Sequence, residues 1–360
     1  MIDKTKYINM SQSDLNSELL ESCYYGNLDI VKYLLASPEL KTQANIHHED
    51  NYGNNILMCA CMNGHLEIVQ YLLTSPELTE HVDIHYKKNN DGWNVLMYAC
   101  YNGQLDIVKY LLTSPELKEH NDIHHKDNDS MNTLIYACSN GYLDVVQYLL
   151  TSPELTEHVD IHYKDDDDWN ALMYACSNGH LDIAQYLLTS SKLKNYADIY
   201  SKDINGVDAL MYACSNGNLD MVKYLLTSPE LKDHANINYK GNNGESALLI
   251  ACIQGHLDIV KYLLTSTELK AHADIDHKDN NSMNALMYAC HNKYFDIVKY
   301  LVIDMDIKIS KETMSWIQGD NHQKIIYENI LKIIESRDLY QKLNKSIQSN
   351  NNKKANGIKV

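Results

Sequence analysis

Hydrophobic and polar positions fall into short blocks that recur along the chain. In "NALMYACSNG" (170–179) an apolar run lies between a polar residue and a glycine. In "HLDIAQYLLT" (180–189) the apolar residues are spaced to form one buried helical stripe. The pattern predicts two short helices joined at the glycine. The polar residue opening the first helix is Ser17, Asn55, Asn94, Asn132, Asn170, Asp208, Ser246 and Asn284 in successive blocks. All eight are types whose side-chain oxygen can accept a hydrogen bond from an orphaned N–H of the first turn.

The cysteines show that these blocks are one repeat. Cys23, Cys61, Cys100, Cys138, Cys176, Cys214, Cys252 and Cys290 stand 38 residues apart, with a single interval of 39. Only Cys59 lies off this ladder. A glycine follows the first seven by three residues, suited to the left-handed conformation that ends a helix, and Lys293 takes that slot last. All five prolines sit in the phrase "SPEL" (Pro38, Pro76, Pro115, Pro153 and Pro229), which predicts a short extra helical turn with serine as its cap. An extended segment tipped with Asn, Asp and Gly then predicts a hairpin-like finger.

These phrases resemble the ankyrin-repeat family. "NALMYACSNGHLDIAQYLL" is similar to its T-P-L-H-x-A-A-x-x-G-H-L-E-I-V-x-x-L-L pattern, and the finger segment to its A-D-V-N-A-x-D. The period is five residues longer than the family's usual 33, and "SPEL" accounts for the excess. Asn, Asp or Ser replaces the family's capping Thr, without the following Pro, and Met or Leu usually replaces its His. The resemblance implies an all-α ankyrin-repeat solenoid of about eight helix-turn-helix units with β-hairpin-like fingers and a helical C-terminal cap. It implies a concave groove lined by fingers and first helices. At about 8–10 Å per unit the array would be about 80 Å long.

The expected organisation is an N-terminal lead (1–13), the array (14–302, its first unit a cap), a helical C-terminal cap or small appended module (303–345) and a disordered tail (346–360). Trp316, Ile317, Ile325, Ile326, Ile330, Leu331, Ile333 and Ile334 give the third segment its helical periodicity. The ladder cysteines hold the place of the family's second small residue, so they are expected in the core. Packed helices lie about 8–10 Å apart, beyond the roughly 7 Å Cα separation of a disulfide.

Composition narrows the function. There are 31 Lys and Arg against 48 Asp and Glu, a net charge of −17, and no basic block of the kind nucleic acid requires. No apolar run is long enough to span a membrane, and MIDKTKYINMSQSD has no signal-peptide core. The expected location is cytoplasmic, or the host cytoplasm if this is a host-directed effector. Adjacent histidines such as His47–His48 and His124–His125 point to opposite sides of an extended segment, so neither metal nor other cofactor is expected. No phosphate-binding loop or nucleophile–base pair occurs, and no enzyme is expected.

The residue preceding each cap varies along the array: Asn54, Trp93, Met131, Trp169, Val207, Glu245 and Met283. Another varying position precedes the glycine and includes Tyr101. Trp93, Tyr101, Met131, Trp169, Val207 and Met283 are the candidate partner-binding residues. Asp91, Asp165, Asp166, Asp167 and Asp168 would form an acidic rim for a protein partner with basic segments. The two tryptophans either bind that partner or pack on neighbouring fingers. The expected function is a monomeric, non-enzymatic protein–protein interaction scaffold. An alternative is an adaptor or host-directed effector whose C-terminal segment recruits an enzyme complex such as a ubiquitin ligase.

Overall fold

A computed structural model of the chain describes residues 4–38, 40, 44–82, 89–117, 122–155, 158–193, 195–307, 309, 313–314 and 328–338. The chain divides into two compact units, residues 1–204 and 205–360. In the first, α1 (Lys4–Ile8) precedes a series of helix pairs. They are α2 (Gln12–Tyr25) with α3 (Leu28–Ala36), α4 (Ile56–Met62) with α5 (Leu66–Thr74), and α6 (Val95–Tyr101) with α7 (Leu105–Thr113). Then come α8 (Thr133–Asn140) with α9 (Leu143–Thr151) and α10 (Ala171–Asn178) with α11 (Leu181–Thr189). The second unit repeats the scheme in α12 (Ala209–Ser215) with α13 (Leu219–Thr227), α14 (Ala247–Gln254) with α15 (Leu257–Thr265), and α16 (Ala285–His291) with α17 (Phe295–Lys299). A π-helical turn, Tyr300–Asp304, continues α17.

Within each unit the first helix of a pair packs on the first helix of the next, and second helices pack more loosely on one another. The described residues are all-α, with antiparallel pairing only as isolated bridges such as Glu49 with Asn55 and Lys164 with Asn170. Seven of the expected caps form as anticipated. Asn170 Oδ1, for example, accepts from the Met173 N–H at 2.9 Å. Ser17 is the exception. Leu15, Leu19 and Cys23, four residues apart and fully buried, extend the buried stripe of α2 towards the N-terminus. Ser17 therefore lies inside the helix, its hydroxyl donating to the Ser13 carbonyl, and Ser11 caps it.

The "SPEL" phrase closes a short turn that its serine caps, Ser75 Oγ accepting from the Glu77 N–H at 3.3 Å, and the serine has a second role. It also ends the second helix: the Ser75 N–H donates to the Tyr71 carbonyl and the Leu78 N–H to that of Ser75, closing one turn that does not continue as helix. A histidine six residues after that serine seals the exposed carbonyl. His81 Nε2 donates to Ser75 O at 2.9 Å, and His158, His234 and His272 repeat the bond. Most of the 303–345 segment, including Trp316, Ile317, Ile325 and Ile326, lies outside the described residues, as does the 346–360 tail. Residues 328–338 are helical, with Ile330 fully buried.

Each pair leaves a seat for the next. Gly141 ends α8 with φ +84°, and a Cβ there would lie 2.6 Å from the ring of His180 in the following pair. His180 Nε2 donates to the Ser139 carbonyl at 3.0 Å, and His65 and His256 bond Tyr24 O and Ser215 O in the same way. Glycine is thus required twice at this slot, by its dihedral and by its neighbour's ring. Lys293 holds the slot with φ +65°, and no Gly-His-Leu phrase follows it in the sequence. Fingers are joined too: the Asn90 N–H donates to Tyr52 O at 3.0 Å and the Asn128 N–H to Asp91 O at 3.1 Å.

The ladder cysteines are fully buried, where they serve as small apolar residues between first helices. Burial pushes the Cys290 thiol up to about 12 and raises Cys100, Cys138 and Cys252 further.

Two outcomes test this packing. Gly141→Ala should destabilise the fold by about 2 kcal/mol or more, and by only about 1 kcal/mol in a His180→Ala background, because the clash is then gone. Additive losses in urea denaturation would mean that ring and glycine do not meet. The second outcome concerns pH. A thiol with a raised folded pKa holds its proton more tightly when folded. Its contribution is intact below the unfolded value, near 9, and is lost as pH rises towards the folded value. Stability should therefore fall steeply above about pH 9. Cys138→Ala should make that fall shallower by about 1.4 kcal/mol per pH unit, and identical slopes would contradict it.

Candidate functional site

The residue before each first-helix cap is held by a turn that starts four residues earlier. Asp165 Oδ1 accepts from the Asp167 N–H at 3.0 Å and the Trp169 N–H at 2.8 Å. Asp127 does the same for Asp129 and Met131, Asn89 for Asp91 and Trp93, and Asp279 for Asn281 and Met283. These are side-chain-closed turns of the kind Asp and Asn favour. They fix the backbone that carries Trp93, Met131, Trp169 and Met283.

A tyrosine in the following helix grips the same side chain. Tyr174 Oη donates to Asp165 Oδ2 at 2.7 Å and Tyr288 Oη to Asp279 Oδ2 at 2.5 Å, while Tyr136 makes a very short bond to Asp127. Tyr98 Oη instead donates to Asn54 Oδ1 at 2.6 Å and accepts from Asn89 Nδ2 at 2.9 Å. Burial is the main reason these phenols are hard to ionise. It pushes Tyr98 up to about 12 and raises Tyr136, Tyr174 and Tyr288 further, with the neighbouring carboxylates adding to the rise. The hydroxyls therefore remain donors. Burial also raises the Asp165 carboxyl, opposed by the bond from Tyr174.

Sequence reasoning did not identify this clamp. Its signal was an Asp or Asn nine residues before the fourth position of the next helix, in 89/98, 127/136, 165/174 and 279/288.

The candidate residues are distributed as follows. Trp93 is half-buried, its ring centroid 4.3 Å from Tyr136 of the next pair and 5.0 Å from both Tyr98 and Tyr101. Tyr101 closes the cluster against Tyr136 at 5.8 Å and is 39% exposed. Trp169 is half-buried on its own Tyr174 at 5.0 Å, and Met131 is also half-buried. Val207 and Met283 are half-buried in the second unit. Asp91, Asp166, Asp167 and Asp168 are exposed. Asp165 is not part of a solvated rim: it is only 8% exposed, with one oxygen bonded within the finger and the other by Tyr174 of the following helix.

Two finger histidines have structural partners. His125 Nε2 donates to Gly92 O at 2.9 Å and His277 Nε2 to Gly244 O at 2.6 Å, each reaching the preceding finger. Among the described residues, no helix is long and apolar enough to cross a membrane.

A family model described as ankyrin repeats (3 copies) matches residues 19–119, 75–157, 116–203, 151–240, 192–269 and 230–313. Comparison with curated proteins finds no match. The repeated helix pairs and a family match running from residue 19 to residue 313 lead to one conclusion: the chain belongs to the ankyrin-repeat family.

Proposed function

We propose that this chain is a non-enzymatic scaffold that binds a protein partner along its fingers and first helices, as ankyrin repeats generally mediate protein–protein interaction. The observation that carries this reading is the cluster of Trp93 and Tyr101 on Tyr136. The Trp93 and Tyr101 rings are fixed by packing on the buried Tyr136 yet remain partly open to solvent. Rigid, partly exposed aromatics provide contact area with little ordering cost. Asp91 and Asp166–Asp168 are exposed acids at the fingers that carry Trp93 and Trp169. With a net charge of −17, they favour a partner segment bearing Lys or Arg.

Packing and binding are not exclusive for these tryptophans, since the ring that packs on its neighbour also offers its outer edge. Trp93→Ala/Trp169→Ala, shown by circular dichroism to be folded, should bind the partner captured by the wild type about 30-fold more weakly or worse. Unchanged affinity would reduce both tryptophans to packing residues.

A further inference from the structure

The clamp between finger and helix is broken at two places, and the two breaks differ. In one, both partners are gone: Gly241 stands where other fingers have the acid, and Ile250 stands where they have the tyrosine. No polar group is stranded there. In the other, only the donor is gone. Asp50 keeps its turn, Oδ1 accepting from the Tyr52 and Asn54 N–H groups at 2.8 Å, but the ninth residue onward is Cys59. Asp50 Oδ2 accepts from Asn54 Nδ2 at 3.0 Å. A carboxylate oxygen can accept a second bond.

A thiol cannot fill the space of a phenol ring, and a cleft of about 520 Å³ lies at this point. It is lined by Cys59, Asp50, Leu20, Tyr24, Tyr25 and Glu21, among others. Cys59, at 6% exposed, is the cysteine through which the cleft reaches the core. Tyr24 stands two residues before Gly26, as Tyr101 stands two before Gly103, and Tyr101 is the residue that touches the clamp ring of the next pair. The cleft therefore keeps the acceptor and the aromatic wall of a clamp and lacks its ring. Tyr24 and Tyr25 are exposed, at 43% and 63%. Glu21, Glu49 and Asp50 make the lining acidic, and it contains no Lys or Arg.

We infer that this cleft receives a tyrosine side chain from a partner segment with Lys or Arg beside it. The incoming phenol donates to Asp50 Oδ2 as Tyr174 does to Asp165. The inference rests on the proposed role in binding protein segments, but it concerns residues outside the Trp93–Trp169 strip.

The test is an NMR titration of the full chain with acetyl-Lys-Tyr-Lys-amide and with the same peptide carrying Phe or Ala at its centre. The tyrosine peptide should saturate with a dissociation constant on the order of 1 mM, the phenylalanine peptide should bind about tenfold more weakly, and the alanine peptide should not saturate. Cys59→Tyr should abolish binding and raise the melting temperature by about 3 °C, whereas Cys59→Ala should retain binding. Tyr24→Ala removes the exposed aromatic wall without touching the core and should weaken binding of the tyrosine peptide about fivefold. Equal binding of all three peptides would overturn the inference as mere attraction of lysine to acid. Undiminished binding by folded Cys59→Tyr would also overturn it. Should that variant not fold, undiminished binding of the tyrosine peptide by Tyr24→Ala would do so. Trp93→Ala/Trp169→Ala should bind the tyrosine peptide as the wild type does, so failure of the cleft and failure of the scaffold reading register separately.

Discussion

A single buried side-chain oxygen pair ties the finger to the helix that follows it. Asp165 closes its own turn with one oxygen and takes the Tyr174 hydroxyl with the other, and Asp127 and Asp279 do the same. Removing a buried donor leaves its partner unsatisfied, which typically costs about 1–3 kcal/mol, and more for a charged group. Short helices of seven to nine residues do not hold such loops in place by themselves. The clamp turns a polar surface segment into a fixed platform, and the residue before each cap sits on that platform.

The remaining contacts run from one repeat to its neighbour. A His, Tyr or Gln side chain rests on the preceding glycine, the three histidines also donating to a carbonyl beside it, and finger backbone bonds to finger backbone. Stability in such an array is roughly a sum of units and nearest-neighbour interfaces. Every seat is built for the residue that follows. Departures from the consensus can therefore be read in pairs: the loss of both Asp and Tyr at 241/250 strands nothing, while the loss of Tyr alone at Cys59 leaves a polar cleft.

Much of this architecture was legible because the signals were local or strictly periodic. Asn170 and its equivalents announced helix starts through their own side chains, and Cys176 and its equivalents announced core by recurring at one fixed step. The errors came where a distant partner decides the outcome. Ser17 reads as a cap, but the buried Leu15 and Leu19 carry the helix past it. Asp165 in a run of four aspartates reads as solvated, and it is the Tyr174 hydroxyl, nine residues away, that draws it inside. The "SPEL" serine reads as the cap of a short turn, which it is, but its N–H also donates to the Tyr71 carbonyl and makes Ser75 the end of the preceding helix.

The functional reading depends on the fingers being held still, with their aromatic residues half-buried against the helix below. The Trp169 N–H, bonded to Asp165 Oδ1, reports that directly. The decisive measurement is amide hydrogen exchange of Trp169 and Asp167 in Tyr174→Phe compared with the wild type. The clamp predicts at least about tenfold faster exchange at both amides, with Met173 and the rest of α10 unchanged. Equal protection in the two proteins would contradict the claim that the tyrosine–aspartate bond fixes the finger.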